Sequence, residues 1–147
     1  MEFNLTNTEK TSDDGQALIV DMTNRKRSYC SIQANTFEEK VALFNLSNAP
    51  EYRVNDFINQ TIAVKDLYVE SVQCLNEETG ELVEAPRIIL VDTDGNSYAC
   101  VSRGMYTVCS KLIQIFGEPT WEMGIPLEIK QMQGRGNNKV LTARINM

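Results

Sequence analysis

The chain has 147 residues, 42% of them apolar, which suits one packed core in one domain. A net charge of −6 argues against indiscriminate attraction to polyanions, and the lack of histidine weakens metal and acid–base chemistry, which usually draw on it. Cys30, Cys74, Cys100 and Cys109 show no C-x-x-C spacing and read as buried thiols of a reducing compartment, so neither a disulfide framework nor a zinc site is expected.

The charge is unevenly laid out. Residues 1–24 carry −4, residues 25–102 carry −5 and residues 103–147 carry +3. Residues 1–27 read as an acidic, flexible segment and residues 28–147 as the folded domain. The opening MEFNLTNTEKTSDDG lacks the basic-then-apolar order of a secretory signal. No apolar run approaches the ~18–20 residues that span a bilayer, so a cytoplasmic protein without membrane partners is expected.

Ala17–Val20 is a short apolar run suited to an edge strand, and Arg25-Lys26-Arg27 a basic knot ahead of a strand over Ser28–Gln33. Thr36 and Glu39 form a capping box, in which each side chain satisfies a backbone N–H of the first helical turn. In the helix that follows, Phe37, Val41 and Phe44 recur at helical spacing and predict one inward face. Thr61–Leu75 reads as a long strand whose apolar residues change parity twice, which predicts bulges and strong curvature. After the turn at Asn76–Gly80 comes a strand over Leu82–Asp92, irregular at Pro86, and then DTDGN. Aspartate and glycine tolerate the positive φ of tight turns, so this run closes a hairpin onto a strand over Asn96–Ser102.

A helix starts at Arg103-Gly104, with Met105, Val108, Cys109, Leu112 and Phe116 on one face and Gly117 placed to end it. GEPTWEMG is a loop holding the only tryptophan, Trp121. Ile125–Gln133 and Lys139–Ile145 are strands joined by the Gly134–Asn137 turn. Three strands, a helix and two strands is the element order of the OB-fold. The expectation is therefore a mainly β protein with two short helices: an OB-fold-like five-stranded Greek-key barrel, its helix between strands three and four.

Lys40 to Asn146, about three-quarters of the chain, resembles the single-stranded DNA-binding proteins of small tailed bacteriophages that replicate by protein priming. The resemblance rests on Phe44-Asn45, on Ile88–Val91, on Asp94-Gly95-x-x-Tyr98-x-x-x-Ser102, and on Ile125–Gln133 followed by Gly134 and a basic hairpin. No single motif among them is diagnostic. It implies an OB-type barrel that coats displaced single strands during replication, without cofactor, metal or catalysis. Residues 1–35 have no evident counterpart, and the Trp121 loop is longer than the family pattern.

A sequence-tolerant single-strand binder needs rings to stack bases and cations to track phosphates. Tyr98 is the first candidate platform, set near a sheet face by the Asp94-Gly95 turn; a core tyrosine with a satisfied hydroxyl explains it equally. Tyr68 shares parity with Asp66 and Glu70, which points to an exposed face, and the resemblance places an aromatic there. Tyr106 and Trp121 read rather as core or loop anchors. For phosphates, Lys130, Arg135, Lys139 and Arg144 lie on one hairpin, and Arg87 and Arg103 flank the Tyr98 strand. Glu77, Glu78, Glu81 and Glu84 exclude their own hairpin from phosphate contact, and the acidic front segment is a candidate to dock replication proteins.

The rival reading is a non-catalytic protein-interaction module, such as a phage adaptor or a DNA-mimicking inhibitor on a β-barrel. An enzyme is not expected. Asp92 and Asp94 serve as turn formers, with no histidine or cysteine at useful spacing.

Overall fold

The computed structural model describes residues 28–136 and 138–147. The readings for the front segment, Ala17–Val20 and Arg25–Arg27 lie outside the described residues. The elements are β1 (Ser28–Cys30), α1 (Phe37–Asn48), β2 (Tyr52–Arg53), a 3-10 turn (Val54–Phe57), β3 (Thr61–Leu75), β4 (Leu82–Asp92), β5 (Ser97–Val101), α2 (Arg103–Phe116), β6 (Ile125–Gln133) and β7 (Lys139–Ile145). Among the described residues seven strands, not five, join in one curled sheet of order β2-β5-β4-β3-β6-β7, with β1 added beside β3. All pairs are antiparallel except β2 with β5. The sheet curls into a half-barrel whose two edges are β2 and β7.

β3 organises the curl. Its ladder to β4 shifts register between Val64 and Asp66, and there the inward set passes from Ile62 and Val64 to Leu67 and Val69. One bulge thus answers the first parity change read in the sequence. The second change is no bulge, because the register runs unbroken to Leu75. The other edge of β3 is shared by three partners: β6 takes Thr61–Val64, the Trp121 N–H donates to Lys65 O, and β1 takes Tyr68–Glu70. At this hand-over the buried Asp66 accepts from Ser31 Oγ at 2.8 Å and Thr120 Oγ1 at 2.5 Å. Ser31 also bonds Leu67 through its backbone N–H and its hydroxyl, replacing the ladder. That ends β1 at Cys30, short of the strand to Gln33 expected from sequence.

The core lies inside the curl. Leu67, Ile88, Leu90, Leu127 and Ile129 from the sheet meet Met105, Cys109 and Leu112 of α2. α2 starts from a Ser102 cap whose side chain accepts the Met105 N–H at 3.0 Å. Its last apolar residue, Phe116, is exposed, which corrects the sequence expectation for that position.

α1 forms as read, with both arms of the Thr36–Glu39 capping box present. Its packing is the reverse of the expectation. Phe37 and Phe44 are 78% and 63% exposed, while Leu43, Leu46 and Ser47 on the opposite side are half-buried. Helical periodicity identifies an apolar stripe but says nothing about which stripe the body covers.

Candidate nucleic-acid interface

β2 covers β5 only at Tyr98 and Ala99, and neither strand pairs with β7, so the half-barrel has a seam between β5 and β7. The chain crosses this opening after β2: Val54 is fully buried, and Asn59 and Gln60 exchange backbone bonds with Ile129 of β6. On the far side, the first turn of α2 lies against β7 so closely that a Cβ on Gly104 would overlap the Leu141 carbonyl oxygen.

Two adjoining concavities of about 380 and 320 Å³ lie along this seam and share Asn55 and Val101. Arg53 and Arg87 line the first; Arg103 and Lys139 line the second. Four cations from β2, β4, α2 and β7 therefore form one continuous track. Arg87 is partly committed, donating to Glu70 Oε2 at 2.8 Å and Ser47 O at 2.7 Å. Arg103 donates to the Glu84 carbonyl, which fixes the side chain but leaves its charge uncompensated. Neither Arg53, Arg103 nor Lys139 has a carboxylate within ion-pair distance among the described residues.

The aromatic side of the expectation changes. Tyr98 is only 7% exposed and belongs to the core. Its hydroxyl donates to Asp92 Oδ2 at 2.8 Å, and Phe57 meets its ring edge-on. One ring face is covered by Tyr52, stacked at 5.2 Å. Of the two readings of Tyr98, the core tyrosine with a satisfied hydroxyl is the one that its burial and its bond to Asp92 match. Tyr52 remains 43% exposed at the sheet edge, next in the chain to Arg53. Tyr52 is not among the candidates read from sequence. The signal was an aromatic–cation pair just after Pro50, in a stretch not assigned to any element.

Burial and then the Asp92 carboxylate hold the Tyr98 hydroxyl well above the ordinary phenol range. Burial pushes the Asp92 carboxyl up, but donors from Tyr98, Asn96 and Asp94 outweigh it and keep it below the usual carboxylate range. Those bonds build the turn, with Gly95 at φ +90, where only glycine is unstrained. The Asp92 carboxylate has the turn-forming role read from sequence, while Asp94 enters the turn through its backbone N–H.

Tyr68 is half-buried on the same sheet face as Arg87, linked to it through Glu70, whose Oε1 accepts the tyrosine hydroxyl at 3.3 Å. Burial and the Glu70 charge raise this phenol also. The four hairpin cations do not converge. Lys130 and Arg144 both approach Glu128, at 3.5 and 2.6 Å, and by strand alternation face away from Lys139. The Arg144 hydrogen bond is the main reason the Glu128 carboxyl sits below its ordinary range. Arg135 is exposed in the connecting turn.

A family model described as Phage Single-stranded DNA-binding protein matches residues 22–146. The chain belongs to this family. Searches of the curated proteins and of the solved structures each found no match. Single-stranded DNA is thus the partner of this protein, and the family is a non-catalytic DNA-binding one. The match begins at residue 22, so residues 22–35, taken from sequence to have no counterpart, do have one. Among the described residues no helix is long and apolar enough to cross a membrane.

Proposed function

We propose that this phage single-stranded DNA-binding protein holds its ligand along the seam between β5 and β7, without sequence preference, to coat single strands exposed in phage DNA replication. The phosphate backbone follows Arg87, Arg53, Arg103 and Lys139, and a base stacks on the open part of Tyr52. Tyr52 and Arg53 point to opposite faces of a two-residue edge strand, so DNA crossing this edge meets a ring on one side and a guanidinium on the other. Tyr98 contributes from beneath, as a fixed ring supporting Tyr52. Lys130, Arg135 and Arg144 lie off the track, and Tyr68 orients Arg87 through Glu70.

The observation that carries this reading is the adjoining of the two concavities at Asn55 and Val101, which brings together cations from four separate elements. Cationic grooves with adjacent stacking rings are the sequence-tolerant way to hold a single strand. The strands β3 to β7 with α2 after β5 follow OB-fold order, and we assign the half-barrel to that architecture, with β1 and β2 as additions and the β5–β7 side left open. Equal-length dT, dA and mixed-sequence oligonucleotides should bind alike, and Arg53→Ala combined with Lys139→Ala should weaken all three about tenfold or more. Undiminished binding by that double variant would reject the seam as the site.

A further inference from the structure

The β3–β4 hairpin runs out beyond the rest of the sheet. β1 pairs with β3 only as far as Glu70 and β5 with β4 only from Arg87, so past Ser71 and Pro86 the two strands pair only with each other, and Arg103 of α2 reaches the Glu84 carbonyl at the base of this ribbon. This ribbon carries Glu77, Glu78, Glu81 and Glu84 and neither lysine nor arginine. At its end Leu75 sits opposite Leu82, and they are 61% and 65% exposed. An aliphatic pair surrounded by carboxylates is unsuited to phosphate, yet burying its leucines against an apolar surface would stabilise a contact.

The same molecule holds a surface of opposite character. Between α2 and β7 lies a groove of about 440 Å³, walled by Ile115, Phe116, Met132 and Val140, with Lys111 and Arg144 among its lining residues and no acid. Arg144 is engaged by Glu128, but Lys111 has no ion-pair partner among the described residues. Ile115 and Phe116, like the leucines of the ribbon, are at least half exposed, so neither pair is covered by the other within one copy.

We infer that the acidic ribbon tip of one copy seats in the α2/β7 groove of a second copy. Leu75 and Leu82 enter the apolar groove, and the glutamates face Lys111. Because the two patches differ, the contact is heterologous and repeats head to tail. Copies already aligned on a strand are thereby joined through a groove that shares Gly104, Val140 and Leu141 with the second concavity of the seam but includes neither Arg103 nor Lys139.

Sedimentation velocity of the full chain without DNA tests this, over a range from about 1 to several hundred micromolar. The wild type should show association that grows with concentration and weakens with salt. A ribbon variant, Glu77→Lys with Glu78→Lys and Glu81→Lys, and a groove variant, Lys111→Glu, should each remain monomeric at every concentration. Mixed in equal amounts they should associate, since each mismatched patch then meets its complement. A wild type that stays monomeric throughout overturns the inference. So does association that survives in the ribbon variant, which would place the contact on α1 or the front segment instead. Both variants should bind a short oligonucleotide at wild-type strength, which separates failure here from failure of the seam.

Discussion

Tyr98 and Asp92 face each other across the turn that joins β4 to β5, the phenol donating to the carboxylate at 2.8 Å from inside the core. This bond ties the hydrophobic interior to the hairpin turn. The same carboxylate accepts the backbone N–H groups of Asp94 and Asn96, so removing it leaves several donors unmatched at once. Hydrogen bonds to a charged partner contribute about 1.5–3 kcal/mol. Asp92→Asn should therefore destabilise the fold by about 2 kcal/mol in chemical denaturation, and Tyr98→Phe by about 1–2 kcal/mol. The pH dependence has a definite sign. The folded carboxyl titrates below its unfolded value of about 4, so its contribution is complete above that value and fades as pH falls through the folded pKa. The stability gap between wild type and Asp92→Asn should narrow only in that acid window.

Stacking and burial are separable on two adjacent rings. Tyr52→Ala removes the exposed platform and should weaken binding to every base composition by about 1–3 kcal/mol, read by oligonucleotide titration. Tyr98→Phe keeps the ring beneath it and should leave affinity within twofold while lowering thermal stability. If Tyr98→Phe instead lost affinity and Tyr52→Ala kept it, the assignment of the open ring would be wrong.

Salt dependence reports the cations one by one. Each phosphate neutralised on a single strand adds about −0.7 to the slope of log affinity against log salt. Arg53→Ala and Lys139→Ala should each flatten the slope by about that amount. Lys130→Ala should leave it unchanged, because Lys130 faces Glu128 on the opposite side of the β6–β7 hairpin. Arg87→Ala should flatten it less than Arg53→Ala, since Glu70 already compensates much of that charge.

What the sequence made legible was local. The Thr36–Glu39 cap, the DTDGN turn and the slip of alternation near Lys65 each depend on residues within one turn or one strand, and each forms as read. The element order of the half-barrel followed from the same short-range signals. The proposed site did not, because it depends on pairings between distant residues. β2 is two residues long and is held to β5 by a short parallel ladder and by the Glu51 N–H to Ser97 Oγ bond, 46 residues apart. That attachment decides which tyrosine is covered, and strand parity alone is silent on it. The cations met the same obstacle. Lys130, Lys139 and Arg144 share a hairpin in sequence, but alternation sends Lys139 to one face and the other two to the opposite one.

The close approach of α2 to β7 gives the most stringent prediction. Gly104 follows Arg103 at the helix start, and a methyl group there would overlap the Leu141 carbonyl oxygen and lie 2.8 Å from Val140 Cγ1. The carbonyl belongs to backbone in a paired strand, so it cannot turn aside as a flexible side chain would. Gly104→Ala must therefore part the helix start from the strand. Alanine is the better helix former by about 1 kcal/mol, which would stabilise an unobstructed helix. The overlap should reverse that sign and make the variant less stable in thermal unfolding. Arg103 and Lys139 stand on the two sides of this contact, so the same displacement should widen the track and weaken DNA binding. A Gly104→Ala protein with raised stability and undiminished affinity would show that α2 and β7 do not close the seam as tightly as this geometry requires.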